Sequence, residues 1–246
     1  MTRTVQVGNL PVTYAVTGQG SPLVLIHGLA ASSRWWQSNV PVLSKHYTVY
    51  LVDLPGYGCM RKYGREFCLE GAPEWTRRLL QALGLERPSI IGHSMGGAIA
   101  LAFAAQWPGE VDRLVLAAAA VDLPHKNVRS NILPLLAASG AVQPSFYPTL
   151  LWDAARAGPA TLLRSARQLV TMNIPPGTPD VQSPTLLVWG RNDGLVPGLV
   201  GQRLRTAMPT SRLHVIDRAG HVVMFDRAAE FNDAVLRFLS GEDVGI

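Results

Sequence analysis

Short runs of apolar residues recur along the chain, and each is followed by a turn residue such as glycine or aspartate. Leu23–Ile26 is apolar at every position, and Thr185–Trp189 is nearly so before Gly190. A strand that is apolar throughout is covered on both faces, as in a parallel sheet lying between helices. The other runs of this type are Val49–Val52, Ser89–Ile91, Leu114–Ala119 and Leu213–Ile216.

Segments with helix-compatible spacing separate these runs, and strands that alternate with helices predict a mainly parallel sheet flanked by helices. Two segments of alternating polarity, Thr4–Val7 and Val12–Val16, come first. They flank Gly8-Asn9, a hairpin turn pair, and therefore predict an antiparallel edge. The predicted helices are Trp75–Leu83, Gly97–Gln106, Val200–Ala207 and Arg227–Leu239.

One long segment interrupts this alternation. Residues 122–182 contain no strand pattern and several prolines, and Thr161–Met172 carries a single apolar helical face. A connection of this length is uncommon in a compact domain unless it serves a function. We expect a helical lid at 122–182, inserted into a core made of 1–121 and 183–246.

Composition and charge narrow the class of protein. The 22 basic and 17 acidic residues give a net charge of +5, and the basic residues are scattered, so no nucleic-acid partner is expected. No apolar run reaches the roughly 18 residues of a membrane helix, and the N-terminus lacks a signal-peptide pattern. We therefore expect a cytoplasmic protein without membrane association.

Cys59 and Cys68 lack metal-ligand spacing, so we expect free thiols and no metal site.

The strongest local signal is the sequence Gly92-His93-Ser94-Met95-Gly96-Gly97, which follows the predicted strand Ser89–Ile91. A serine at a sharp strand-to-helix turn is held in a strained conformation with its hydroxyl exposed. The residues two before and two after it must be small, because a Cβ there would clash across the turn. This context makes Ser94 a candidate nucleophile.

Three further candidate groups follow predicted strands. His27-Gly28-Leu29-Ala30 comes after the first apolar run, Asp193 lies shortly after Gly190, and His221 lies beyond the last run. The carboxyl ends of parallel strands meet at one edge of a sheet, so these loops are expected to converge near Ser94. The order serine, aspartate, histidine along the chain is the order of one particular fold.

Together these motifs resemble those of the α/β-hydrolase superfamily of esterases and lipases over nearly the whole chain. The resemblance implies an α/β-hydrolase fold with a mainly parallel sheet of about eight strands. It implies that Ser94 is the nucleophile, that His221 is the general base and that Asp193 orients the imidazole. It also implies an oxyanion hole formed by the amides of Leu29 and Met95, and it implies no cofactor.

The triad acid has two alternatives in the sequence. Asp122 follows one of the apolar runs, at a position that some superfamily members use for the acid. Asp217 lies four residues before His221 and either reaches it locally or forms a surface ion pair. His27 and His93 flank the site and are interpreted as packing or supporting groups rather than proton carriers.

Apolar side chains near these loops predict an apolar acyl pocket. For any single one of these side chains, the alternative is that it packs the insertion onto the core. The resemblance argues against haloalkane dehalogenases and epoxide hydrolases, which use aspartate as nucleophile. Carbon–carbon bond hydrolases tend to carry asparagine where this chain has His93. The candidate pocket residues are Trp35, Trp36, Phe146, Trp152, Val196 and Met224.

The sequence therefore predicts a cofactor-free serine carboxylesterase that acts on small-molecule esters with small to medium apolar acyl groups. The same triad serves a thioesterase, an acyltransferase, a lactonase or a cofactor-free perhydrolase. A ligand-binding receptor with slow or no turnover is the alternative from another class. No oligomeric state is predicted.

Overall fold

Eight strands form a single sheet in the computed structural model, which describes residues 2–121, 143–172 and 181–242. Each apolar run of the sequence lies within or overlaps one of these strands. The strands are β1 (Thr2–Val7), β2 (Leu10–Thr17), β3 (Pro22–Ile26), β4 (Thr48–Val52), β5 (Ser89–His93), β6 (Leu114–Ala117), β7 (Thr185–Gly190) and β8 (Ser211–Ile216).

The order of the strands across the sheet is β1-β2-β4-β3-β5-β6-β7-β8. β1 and β2 form the predicted antiparallel hairpin, and β2 is also antiparallel to β4. All remaining neighbours are parallel, with Ile26 of β3 opposite Gly92 of β5. The prediction of a mainly parallel sheet of about eight strands is confirmed, and the loops after β3 and β5 leave the same edge.

Helices cover both faces of the sheet. Three predicted helices begin earlier than their apolar spacing indicated, at Ala72, Met95 and Gly198. Pro73 lies in the first helical turn, where its missing N–H leaves no hydrogen bond unmade. The helices are α1 (Val40–Leu43), α2 (Ala72–Ala82), α3 (Met95–Gln106), α4 (Tyr147–Ala157), α5 (Pro159–Thr171), α6 (Gly198–Ala207), α7 (Val223–Asp226) and α8 (Ala228–Ser240).

The apolar strands divide their side chains between two core clusters, one on each face of the sheet. Val24 and Ile26 belong to the cluster that includes residues of α2, α3 and α6. Leu23 and Leu25 belong to the opposite cluster, with residues of α1 and α8. Successive side chains of a strand point to opposite faces of the sheet. A strand that contributes to both clusters therefore needs an apolar residue at every position.

Strand β6 ends two residues earlier than the apolar run that predicted it. Ala118 has a φ of 46°, so the regular strand ends before it, although its amide still donates to Val188 O of β7 at 2.9 Å. The amide of Ala120 then donates to Ser94 O at 3.0 Å. The end of β6 therefore supports the turn that carries the candidate nucleophile.

The described part of the insertion is residues 143–172. It contains one short 3₁₀ turn, Pro144–Phe146, followed by α4 and α5, which meet at Gly158 with a φ of 76°. Asp122, where the lid is predicted to begin, lies outside the described residues, and the predicted end of the lid at 182 falls three residues before β7. Within the described ranges, no helix is long and apolar enough to cross a membrane. Cys59 and Cys68 are exposed free thiols, as predicted.

Candidate active site

Ser94 lies at the junction between β5 and α3, where the chain turns sharply. Its φ of 51° and ψ of −116° lie in a region that side chains rarely adopt. Its amide donates to Ala117 O at 3.0 Å, and its carbonyl accepts the amides of Ala98 and Ala120. These bonds hold the strained residue in place and leave its hydroxyl available to another partner.

The glycines around Ser94 are required by close backbone contacts. A Cβ on Gly92 would lie 2.4 Å from Gly96 O, and a Cβ on Gly96 would lie 2.4 Å from Ile26 O. On the other side, a Cβ on Gly28 would lie 3.0 Å from Ser94 Cβ. The sequence pattern of small residues thus reflects a turn packed directly against the end of β3.

The three residues that the resemblance assigned to a triad are joined by hydrogen bonds. Ser94 Oγ and His221 Nε2 are 2.9 Å apart, and His221 Nδ1 is 2.9 Å from Asp193 Oδ2. All three are buried. The arrangement suits transfer of the serine proton to the imidazole, with the second ring nitrogen held by the carboxylate.

Asp193 is fixed by the loop that follows β7. Its Oδ1 accepts the amides of Leu195 and Val196, both at 2.9 Å, so its other oxygen is left for His221. The alternative acid Asp217 is instead exposed and pairs with Arg191, which lowers the pKa of that carboxyl. Among the described aspartates weighed for this role, the geometry brings Asp193 to the histidine.

The imidazole of His93 touches the histidine of the triad. Its Nε2 donates to the backbone carbonyl of His221 at 3.0 Å, and the two rings are 5.0 Å apart. Burial lowers the pKa of His93 well below its usual value, and the nearby His221 lowers it further. A neutral His93 is therefore a fixed donor, and it adds no charge beside His221. Sequence reasoning assigned it only a supporting role, and this contact had no sequence signal.

His27 fixes the peptide that carries the candidate oxyanion donor. Its Nε2 accepts the amide of Leu54 at 3.0 Å, so its Nδ1 carries the proton and donates to Gly28 O at 2.8 Å. Burial lowers the pKa of His27, although the carboxylate of Asp53 opposes this shift. In a trans peptide the carbonyl and the following N–H point in opposite directions. The bond to Gly28 therefore sets the direction of the Leu29 amide.

Both residues whose amides are proposed for the oxyanion hole lie near Ser94. Met95 follows Ser94 directly in the chain, and Leu29 follows Gly28, which lies against Ser94. In the described chain, neither the Leu29 nor the Met95 amide is hydrogen-bonded to a backbone carbonyl. Met95 is the first residue of α3, so its amide is one of the free donors at that helix start. Both donors are thus available to a ligand.

Asp226 holds the loop that carries the triad histidine, and sequence reasoning missed it. The Asp226 side chain is buried, and its Oδ2 accepts the amide of Gly220 at 2.9 Å. Burial raises the pKa of this carboxyl, and the bond from Gly220 opposes the rise. Gln143, at the start of the described part of the insertion, also donates to the Asp226 backbone carbonyl. No motif marks this aspartate in the sequence.

Asp53 ties together two loops at the same edge of the sheet. Its Oδ1 accepts the amide of Ser33 at 2.6 Å, and its Oδ2 accepts the amide of Cys59 at 2.8 Å. Burial opposes ionisation, but His27 and these two amides hold the pKa of Asp53 below its usual value. Gly58 makes room for this carboxylate, since a Cβ there would lie 2.1 Å from Asp53 Oδ2.

The predicted pocket residues fall into three environments. Trp35 and Phe146 are buried and stack edge to face at 4.8 Å, with the Trp35 ring 5.9 Å from that of His93. Trp36 packs against Phe231, 6.4 Å between ring centroids. Four of the predicted residues, Trp35, Trp36, Phe146 and Met224, belong to the α8-side cluster, and Val196 belongs to the opposite cluster.

Trp152 lies at the surface, which does not fit a residue that lines an enclosed pocket. It is 54% exposed, and the guanidinium of Arg156 lies over its ring at 5.6 Å. Of the six predicted residues, Val196 bonds Asp193 through its amide, and Trp35 contacts His93. Phe146 contacts Trp35 and so reaches His93 indirectly. Within the described ranges, no group of three or more His, Cys, Asp or Glu side chains is arranged to hold a metal ion.

Comparisons with known proteins agree with this geometry. The model of the alpha/beta hydrolase family matches residues 23–234. A 2-hydroxy-6-oxo-2,4-heptadienoate hydrolase of Pseudomonas putida is 28% identical, with 98% of this chain and 97% of the relative covered. A 2-hydroxy-6-oxononadienedioate/2-hydroxy-6-oxononatrienedioate hydrolase of Burkholderia vietnamiensis is 32% identical, covering 94% of this chain and 91% of the relative.

A solved structure adds a second kind of neighbour. A membrane phospholipase A, described as a bacterial virulence factor, superposes with a TM-score of 0.85 and 27% identity. The match covers 98% of this chain and 86% of the phospholipase chain. The strand order, the serine turn and these matches lead to one conclusion: the chain belongs to the alpha/beta hydrolase family and is a serine hydrolase.

Proposed function

We propose that this hydrolase cleaves carboxylic esters with apolar acyl groups, with Ser94 as nucleophile, His221 as general base and Asp193 as the orienting acid. The observation that carries the proposal is the continuous hydrogen-bonded path from Ser94 Oγ through the His221 ring to Asp193 Oδ2. A free hydroxyl is a weak nucleophile, so a neutral imidazole within reach is what activates it.

The reaction proceeds in two acyl-transfer steps. Ser94 Oγ attacks the ester carbonyl carbon while its proton passes to His221 Nε2, a transfer that contributes roughly 10²–10⁴-fold. The amides of Leu29 and Met95 stabilise the oxyanion, each by about 2.7–4 kcal/mol. His221 then protonates the leaving alkoxide, and the acyl group stays on Ser94. Water repeats the attack with the same base and releases the acid.

The apolar surroundings of the triad support an apolar acyl group. Two polar atoms of the adjoining wall are already engaged, because Trp35 Nε1 donates to Asp153 and His93 Nε2 donates to His221 O. What Trp35 offers to a substrate is therefore ring surface. Trp35 and Phe146 together form an aromatic pair beside His93.

A second candidate function follows from the names of the relatives. A 2-hydroxy-6-oxo-2,4-heptadienoate has a ketone and a carboxylate but no ester, so its hydrolysis must break a carbon–carbon bond beside the ketone. Such a substrate needs donors for its carboxylate. The N–H of His93, the side chain just before the nucleophile, is occupied, and this favours the ester over the dienoate.

Hydrolysis of p-nitrophenyl esters from acetate to laurate, set beside a 2-hydroxy-6-oxo-dienoate, tests the choice. We expect ester turnover in the wild type with an optimum at one chain length, and little dienoate turnover. Ser94→Ala should abolish ester turnover, whereas Ser89→Ala, at the start of β5, should retain it. Dienoate turnover that exceeds ester turnover would replace the proposal with carbon–carbon hydrolysis. Binding of either compound without turnover would favour a receptor.

A further inference from the structure

Asp153 is a buried carboxylate on helix α4 that takes no part in the proposed chemistry. It is 2% exposed, and it faces the turn that follows β3. Its Oδ2 accepts two hydrogen bonds from that turn, from Ser32 Oγ at 2.7 Å and from Trp35 Nε1 at 3.1 Å. A single carboxylate oxygen thus joins the insertion to the loop that leads from the oxyanion region.

Burial of this charge requires those partners. The nearest guanidinium, that of Arg34, lies 3.9 Å from Asp153 Oδ1 and is half-exposed, so it provides a weak ion pair. An ionised carboxylate without hydrogen bonds is costly to bury, and removal of it leaves the indole N–H without an acceptor. The buried carboxylate therefore depends on these donors, and the indole N–H of Trp35 depends on this acceptor.

The turn that binds Asp153 is itself ordered by the same hydroxyl. Ser32 precedes the 3₁₀ turn Ser33–Trp36, and its Oγ accepts the amide of Arg34 at 3.3 Å. The hydroxyl consequently accepts within its own loop and donates to α4. Displacement of α4 removes one of the two bonds that orient Ser32.

Trp35 links this contact to the triad. Its ring packs edge to face on Phe146, which lies just before α4, and its other neighbour is the ring of His93. His93 in turn donates to the backbone carbonyl of His221. Because Trp35 Nε1 is held by Asp153, the orientation of the indole beside His93 depends on where α4 lies.

We propose that Asp153 is a positioning residue that latches helix α4 onto the turn Ser32–Trp36 and so fixes the Trp35 indole as a rigid wall beside His93. The latch would limit the space available to an acyl group and would make Asp153 a determinant of acyl-chain selectivity. Its effect on substrates rests on the proposed function, whereas its effect on the docking of α4 does not.

Four variants test the latch. Asp153→Ala removes the acceptor, and Asp153→Asn keeps one carbonyl oxygen that both donors can reach. Trp35→Phe removes the indole N–H together with part of the ring surface and keeps one six-membered aromatic ring. Arg156→Ala is the matched control, since Arg156 lies on the same helix and contacts the surface residue Trp152.

Hydrogen exchange of the α4 backbone is the primary measurement, because it needs no substrate. We expect exchange in 147–157 to become about 10-fold faster or more in Asp153→Ala. Asp153→Asn and Arg156→Ala should stay near the wild type. Unchanged exchange in Asp153→Ala, or equal acceleration in Arg156→Ala, would overturn the latch. If Asp153→Ala does not fold, Trp35→Phe must show a partial acceleration confined to α4 and the Ser32–Trp36 turn, and its absence overturns the proposal.

Kinetics test the selectivity. For a p-nitrophenyl ester longer than the wild-type optimum, Asp153→Ala should lower KM several-fold with a smaller change in kcat, because the released wall leaves more space, and Asp153→Asn should restore the wild-type value. A uniform loss of kcat for short and long esters would contradict a role in acyl selection. A wild type without esterase turnover would refute the proposed function alone, because the exchange comparison would still report on the latch.

Discussion

Ser94 has a left-handed backbone conformation that its neighbours make possible by being small. The Cβ atom missing from Gly96 would lie 2.4 Å from Ile26 O and 2.5 Å from His27 O. Both contacts are with backbone oxygens, which cannot rotate away as a flexible side chain can. The proposed nucleophile is thus held by the same contacts that join β5 and α3 to the end of β3.

Gly96→Ala should therefore destabilise the protein and abolish the proposed esterase activity. We expect a loss of about 3 kcal/mol in the free energy of unfolding, because overpacking against backbone cannot relax locally. Gly198→Ala is the control, since a Cβ there meets nothing within 4 Å. Urea unfolding of both variants measures the difference, and a Gly96→Ala protein as stable as Gly198→Ala would refute this account of the turn.

Sequence reasoning identified candidate residues whose position after a predicted strand marks them. Ser94, Asp193 and His221 each follow an apolar run, and such strand ends converge in a parallel sheet. His93 and Asp153 could not be assigned in this way. Their partners lie 128, 121 and 118 positions away along the chain, and only the folded backbone brings them together.

At the scale of the elements, the short helix α7 closes the loop that carries His221. It begins two residues after His221, and its last residue, Asp226, returns to accept the amide of Gly220. The segment 220–226 is thereby closed on itself, and His93 holds it from the opposite side through the His221 carbonyl. The orientation of the imidazole depends on both contacts.

Asp226→Ala should loosen this loop and reduce kcat. We expect about a 10-fold decrease in kcat with little change in KM. The Gly220 amide loses a buried acceptor, whereas the Trp35 ring beside His93 is not altered. Asp226→Asn keeps an oxygen at that position and should remain within a few-fold of the wild type. Steady-state kinetics compare the two, with the exposed Asp233→Ala as control. Equal losses in the alanine and asparagine variants would show that charge, rather than the hydrogen bond, is required.

The apolar runs predicted the strands better than they predicted where helices begin. Strands β3, β5 and β7 match their runs within a residue or two because both faces are buried. Helix α2 begins earlier than Trp75 because Pro73 is tolerated in a first turn. β6 stops at Ala117 because the chain bends at Ala118 to support Ser94, a tertiary contact that no periodicity encodes.

At the scale of the whole molecule, two buried histidines couple stability to pH. Burial lowers the pKa of both His27 and His93 below the usual 6.5. Below that pH the unfolded chain binds protons that the native protein excludes, so acid favours unfolding. The stabilising contribution is complete above pH ~6.5 and is lost progressively as the pH falls towards the native pKa values.

We therefore expect the free energy of unfolding to fall between pH 6.5 and 5.5, by up to about 1.4 kcal/mol per pH unit for each histidine. His93→Gln should flatten this slope, because glutamine can still donate to His221 O but does not titrate. His46→Gln changes an exposed histidine and should retain the wild-type slope. Urea unfolding at several pH values gives the slopes, and an unchanged slope in His93→Gln would contradict the assignment of a neutral His93.

The proposed function requires that Ser94 carries the acyl group in a covalent intermediate. Intact-mass analysis after acid quenching of a p-nitrophenyl ester reaction tests this claim most directly. We predict one acyl group per chain, located in the peptide that contains Ser94 and missing from Ser94→Ala. An acyl group on another residue, or an equal adduct in Ser94→Ala, would contradict the account.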